Sequence, residues 1–247
     1  MKRETTFTRG KIMQPLILFA LPVLLALLLQ AMYGAVDLLV VGKFAEAADV
    51  SAVSTGSQIT LTLANLVSSF AMGTTILLGQ QIGSGNRSET SKTVGTAIVL
   101  FTLVAELAAV LLVAFAPWMC RLMNTPQEAF EKTVAYVRIC GVGMVAIVAY
   151  NLIGCIFRGV GDSKTPLVTV AIACVFNIVG DLLLCSVLRM GAAGVAIATV
   201  LAQVVSVAAS VLLMRRKELP FTLKREDLRL HGASLRKVIS LGTPVAL

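Results

Sequence analysis

A chain of 247 residues with 57% hydrophobic and only 14% charged residues has too little polar side chain to cover a soluble domain, which carries roughly 25% charged residues. The mean hydropathy of +0.89 makes the bilayer the expected solvent. A formal charge of +8 would suggest nucleic acid in a soluble protein, but no nucleic-acid partner is expected here, because the placement of the cations has a membrane explanation.

A helix crosses the hydrocarbon core with roughly 20 residues rising about 1.5 Å each. Apolar runs of that length lie at about 15–41, 52–79, 94–116, 134–157, 167–188 and 192–214, and another starts near Val238. The first follows Lys2, Arg3, Arg9 and Lys11, and Ala45-Glu46-Ala47 could pass for a signal cleavage site. Its apolar stretch is longer than the roughly 7–15 residues of a signal peptide, so a retained helix is expected. With the N-terminus in the cytoplasm, 16 of the 21 Lys and Arg fall inside, among them Arg87, Lys92, Arg158, Lys164 and the run from Arg215 to Lys237. Lys43, Arg121, Lys132, Arg138 and Arg189 fall outside. This positive-inside bias predicts a multi-pass protein of the inner (cytoplasmic) membrane.

Thr125-Pro126-Gln127-Glu128 reads as a capping box opening the fourth span, Thr165-Pro166 as the start of the fifth, and Gly159 and Gly161 as C-cap glycines. Cys120, Cys140, Cys155, Cys174 and Cys185 lack metal-ligand spacing and read as small apolar residues. Trp118 beside Pro117 fits an interfacial aromatic belt.

The segment 16–25 recurs as 238–247, each copy following basic residues and carrying a Pro seven residues in, Pro22 and Pro244. A parallel repeat of two six-helix halves is the reading. The expected fold is therefore an all-α membrane protein, a six-helix transmembrane bundle plus the start of helix 7. Residues 1–214 form the N-terminal lobe, 215–237 a basic cytoplasmic inter-lobe loop, and 238–247 the start of a second, missing C-terminal lobe.

Ionisable groups inside spans cost at least about 2.5–3.5 kcal/mol at the centre. Gln30, Tyr33 and Asp37 share one face of span 1 at i, i+3, i+7. Asp37 reads either as facing a cavity or as an interface residue reaching water from the helix end. Asn177 and Asp181, at i, i+4 in span 5, can share a proton or offer oxygens to a small cation, or can be polar glue between helices. Gln58, Thr62, Asn65 and Ser69 make a polar seam on span 2, read as cavity lining or packing. Asn151 and Thr199 are single polar residues in spans 4 and 6; Glu106 is taken as helix-packed and His231 as solvated. No catalytic constellation or phosphate-binding fingerprint appears, so neither an enzyme nor a cofactor is expected.

In order along the chain, Phe19-Ala20-Leu21-Pro22, Gln30-Ala31-Met32-Tyr33-Gly34-Ala35-Val36-Asp37, Val41-Gly42-Lys43-Phe44, Arg158-Gly159-Val160-Gly161-Asp162-Ser163-Lys164-Thr165-Pro166-Leu167, Asn177-Ile178-Val179-Gly180-Asp181 and Gly191-Ala192-Ala193-Gly194-Val195-Ala196-Ile197-Ala198-Thr199 resemble the multidrug and toxic compound extrusion (MATE) family. The resemblance implies a twelve-helix, two-lobed antiporter exporting small organic cations against H⁺ or Na⁺. It also implies a coupling site at Asp37, Asn177 and Asp181, joined by Asn151 and Thr199, where Na⁺ is the one metal ion implied. Gln30, Tyr33, Gln58, Thr62, Asn65 and Ser69 are the expected substrate-cavity lining, and membrane lipid the surrounding partner. Gly34 replaces an Asn common before this Asp. The alternatives are a lipid or lipid-linked oligosaccharide flippase of the same superfamily and a non-transporting truncated fragment. A flippase of anionic head groups should carry several cations within its spans, and Arg138 is the one candidate by sequence.

Overall fold

The computed structural model describes residues 13–246. Lys2, Arg3, Arg9 and Lys11 of the orientation argument, and Leu247 of the second repeat copy, lie outside the described residues. The helices are α1 (Met13–Phe44), α2 (Ala47–Gly83), α3 (Arg87–Leu122), α4 (Phe130–Val142), α5 (Met144–Gly159), α6 (Lys164–Asp181), α7 (Gly191–Arg215) and α8 (Gly232–Ala246). A π-helical segment, Leu182–Val187, continues α6.

Among the described residues, five helices are long and apolar enough to cross a membrane, and a sixth span is the pair α4–α5, bent by 52°. The expected straight run 134–157 is thus two helices. The bend falls at Gly143, where a Cβ would overlap the Val200 side chain of α7. A glycine lets α7 approach the break, and beyond it α5 packs against α2, α3 and α7.

Exposure follows the bilayer rather than water. Leu18, Leu21, Leu24, Leu28, Leu103, Leu107 and Val110 are all exposed, while the interior holds Phe157, Leu78, Leu112, Met144 and many alanines and valines. Small interior residues bring helix backbones close, where dispersion and hydrogen bonds replace the missing hydrophobic drive between helices. α1 is the barest span, burying only Pro22, Ala26, Asp37, Val40 and Val41.

Local signals fared unevenly. Gly161 has φ +84° and ends α5 as a left-handed cap, whereas Gly159 is inside the helix. Thr125 does not cap α4: its hydroxyl donates back to the Cys120 carbonyl at 2.8 Å, and Gln127–Ala129 forms a 3₁₀ turn. At α6 the capping side chain is Asp162, one residue before the Ser163 N-cap, not Thr165. Its Oδ1 accepts from the Lys164 and Thr165 amides at 3.1 and 3.0 Å, and its Oδ2 from the Thr165 hydroxyl at 2.6 Å. Lys217, beyond the end of α7, donates to the same carboxylate. Burial pushes the Asp162 carboxyl up, but the hydrogen bonds from Lys217 and Thr165 outweigh it and hold it below the usual aspartate value.

The expected loop 215–237 is shorter, because α8 begins at Gly232. The preceding segment is pinned along α3: Thr96 donates to the Arg229 carbonyl at 3.1 Å, and the His231 amide donates to Thr96 Oγ1 at 3.2 Å. His231 is therefore half-buried rather than solvated. α8 packs along α2 and α3 and buries Ser234, Val238 and Gly242.

Candidate functional site

Three helices bring polar side chains to one buried place. α1 supplies Tyr33 and Asp37, α6 supplies Asn177 and Asp181, and α7 supplies Thr199. α6 and α7 approach closely at Gly180, where a Cβ would lie 2.9 Å from that of Ala198. The residues that follow each, Asp181 and Thr199, lie beside Asp37. Asp37 is 5% exposed, and Asn177 and Asp181 are 0% exposed.

Hydrogen bonding here is sparse. The Thr199 hydroxyl donates to Asp37 Oδ2 at 3.5 Å, and the Tyr33 hydroxyl to the Thr199 carbonyl at 3.5 Å; both are long. Asp37 borders the side chains of Asp181 and Asn177. Even so, Asp37 Oδ1, both Asp181 oxygens and both amide atoms of Asn177 lack a partner with hydrogen-bond geometry. Buried polar atoms are almost always satisfied, so five such atoms together mark a place built to take up something else. Two carboxyls, an amide oxygen and a hydroxyl offer oxygen ligands to a small cation or a shared site for a proton. All of these donors are oxygens, the ligand type suited to hard cations rather than transition metals. The π-helical segment begins at Leu182, directly after Asp181, an irregularity frequent at functional sites.

The other expected site residues go elsewhere. Asn151 donates to its own helix at the Ile147 carbonyl, 2.9 Å, and faces a groove between α1, α5 and α6 instead of the carboxyl pair. Gln30 donates to the Tyr150 hydroxyl at 3.1 Å and lines the same groove. Gln58, Thr62 and Asn65 are exposed and Ser69 half-buried; this seam lies on the outside of the lobe, and Thr62 bonds only to the Gln58 carbonyl of its own helix at 2.7 Å. Glu106 is not packed between helices: it is exposed on α3 beside Leu103 and Leu107.

Two features were not recognised from the sequence. Arg158, counted there as a loop cation, belongs to the last turn of α5 and lines the groove with Gln30, Tyr150 and Asn151. At the opposite end of the lobe, Asp49 of α2 accepts from the Ala192 amide at 3.0 Å and from Lys132 of α4 at 2.7 Å. That link joins three helices beside a cavity of about 570 Å³. The spacing of Asp49 before an apolar run could have flagged an end-of-span carboxylate, but not its partners.

Residues 22–183 match the family model described as MatE. The chain is 30% identical over 242 residues to the probable multidrug resistance protein YpnP of Bacillus subtilis (strain 168), covering 98% of this chain and 54% of that protein. It is 28% identical over 239 residues to the probable multidrug resistance protein YoeA of the same organism, covering 93% and 51%. Its fold is similar to that in a crystal structure of MATE in complex with MaL6, with a TM-score of 0.89 at 20% identity over 100% of this chain and 55% of that one. The chain spans about half the length of the curated relatives it matches. The family model matched from Pro22 into the π-helical segment, more than half of the chain, shows that it belongs to the MatE family.

Proposed function

We propose that this chain is the ion-coupling lobe of a cation-coupled antiporter that exports small organic cations across the cytoplasmic membrane, with the N-terminus inside. The observation that carries the reading is the Asp37–Asn177–Asp181–Thr199 cluster. Two buried carboxyls so close to each other cannot both stay charged without a compensating cation or proton. Na⁺ or H⁺ taken up there competes for the same oxygens. Since those oxygens come from α1, α6 and α7, occupancy draws three helices together and release lets them part. Such a change becomes transport when a second lobe faces this one, and the exposed polar seam Gln58–Thr62–Asn65 is the surface offered to it. Multidrug resistance names on the relatives support small drug molecules as cargo.

The test is Na⁺ binding and linked proton release by the purified chain in neutral-lipid nanodiscs. Wild type should exchange protons for Na⁺, or bind protons alone, and Asp181→Asn should abolish the exchange while leaving the helix content intact. Unchanged titration by both Asp37→Asn and Asp181→Asn would return these residues to helix packing.

A further inference from the structure

The groove between α1, α5 and α6 has the opposite chemistry to the carboxyl pair. Its polar lining is Gln30, Tyr150, Asn151 and Arg158, and its walls are the apolar side chains of Val23, Ala26, Leu27, Pro166 and Val170; no acid is among them. Tyr150, Asn151, Gly154 and Arg158 fall on one face of α5 by their spacing, as do Val23, Ala26, Leu27 and Gln30 on α1. The opening itself holds about 30 Å³, room for a small polar group rather than a whole drug.

Arg158 is the unusual member. Its guanidinium runs back along α5, with Nη2 3.3 Å from Cys155 Sγ and Nη1 3.4 Å from the place a Cβ on Gly154 would occupy. The guanidinium thus lies close against the Gly154 backbone. A thiol is a weak acceptor for a group with five donors. The nearest acid in sequence, Asp162, is already taken by Lys217, Thr165 and two backbone amides. Among the described residues Arg158 has no carboxylate partner. An arginine at a helix end that merely reached for water would extend past Gly159, and this one folds into the groove. A planar guanidinium with free donors matches a carboxylate or phosphate two oxygens at a time.

We infer that this groove is an anion subsite, in which Arg158, aided by the Tyr150 hydroxyl and the Gln30 and Asn151 amides, holds the carboxylate or phosphate of an organic amphiphile whose apolar part lies along Val23, Leu27 and Val170. Gln30 and Asp37 share a face of α1 about 10 Å apart along its axis. Where the lobe lines a transport path, which rests on the reading above, the preferred cargo is then zwitterionic, its cation towards the carboxyl pair and its anion at Arg158.

The purified chain in phosphatidylcholine nanodiscs is titrated with decyl phosphate, decanoate and decyltrimethylammonium, and binding is read by calorimetry. Both anionic probes should bind at least about tenfold tighter than the cationic one, and Arg158→Gln should remove at least about tenfold, the scale of a lost charge-assisted hydrogen bond. Arg158→Lys, which keeps the charge and the fold, should retain part of the anion preference. Nanodiscs containing phosphatidylglycerol separate the two sources of such an anion. Competition there assigns the subsite to a lipid head group, and unchanged binding assigns it to a soluble compound. Equal affinity for anionic and cationic probes, or the same anion affinity in Arg158→Gln and wild type, overturns the subsite. Because the readout is anion binding, its failure leaves the coupling reading standing, and a failure of Na⁺ or proton exchange leaves this one.

Discussion

Asp181 and Arg158 both leave polar capacity unused inside one lobe, but they do so in opposite senses. At Asp181 acceptors outnumber donors, and every unsatisfied atom is fully buried between α1, α6 and α7. At Arg158 donors outnumber acceptors, and the group is half-buried at the mouth of a groove between α1, α5 and α6. α1 is common to both, with Gln30 in one and Asp37 in the other. The difference teaches that a helix bundle in lipid can separate charge along one face of one helix, provided different neighbours cover each half.

The largest effect should come from Asp181→Asn, which replaces an acceptor by a group that can also donate. Na⁺ or proton exchange should vanish while decyl phosphate binding stays within about threefold; a joint loss of both would show one site rather than two. Next is Gly143→Leu, whose side chain must displace Val200. Overpacking of this kind destabilises by about 1–3 kcal/mol. Because the bend orients α5 and not α6, anion binding should fall more than Na⁺ binding, measured on the same nanodisc sample.

Asp162→Asn tests the frame beneath the groove. The wild-type carboxyl is held below its usual value, so its stabilisation is fully present above the ordinary aspartate range and is lost as pH falls through the lower, folded value. Thermal unfolding of wild type should weaken as pH drops below about 4, and the variant should lack this contribution to the slope. With Lys217 substantially exposed, the difference at neutral pH should stay below about 1 kcal/mol. The smallest effect belongs to Thr199→Val. Its bond to Asp37 is 3.5 Å long, so Na⁺ affinity should fall by no more than about fivefold; complete loss would make the hydroxyl an essential ligand.

The spans, the all-α class and the i, i+4 pairing of Asn177 with Asp181 were legible because period and hydropathy are local properties. The break at Gly143 was not, since no proline interrupts 134–157 and the Val200 side chain that crowds Gly143 lies far along the chain. Periodicity placed Gln58, Thr62 and Asn65 on one face of α2 without telling which way that face looks. Arg158 was read as a loop cation because the sequence places it at a helix end and says nothing of its rotamer. Asn151 was grouped with the carboxyl pair by resemblance, yet α5 after the bend carries it to the groove. Glu106, a carboxyl at the middle of α3, is exposed where burial was the natural expectation.

The distance along the chain between Asp37 and Thr199 has a consequence for biosynthesis. Their side chains meet across 162 residues of sequence, and at roughly 5–20 residues per second the ribosome needs about 8–32 s to make them. For most of that interval α1 sits in the bilayer with its carboxyl unmatched, since α6 is made only near its end and α7 last. The leucines of its bare surface, Leu16, Leu18, Leu21, Leu24, Leu25, Leu27 and Leu28, must hold the helix in lipid unaided until its partners emerge. The exposed side of α1 is thus an insertion device as well as a wall, and replacing Leu18, Leu21 and Leu24, which lie outside the groove, by serine should release α1 from the membrane during synthesis while leaving the groove lining intact.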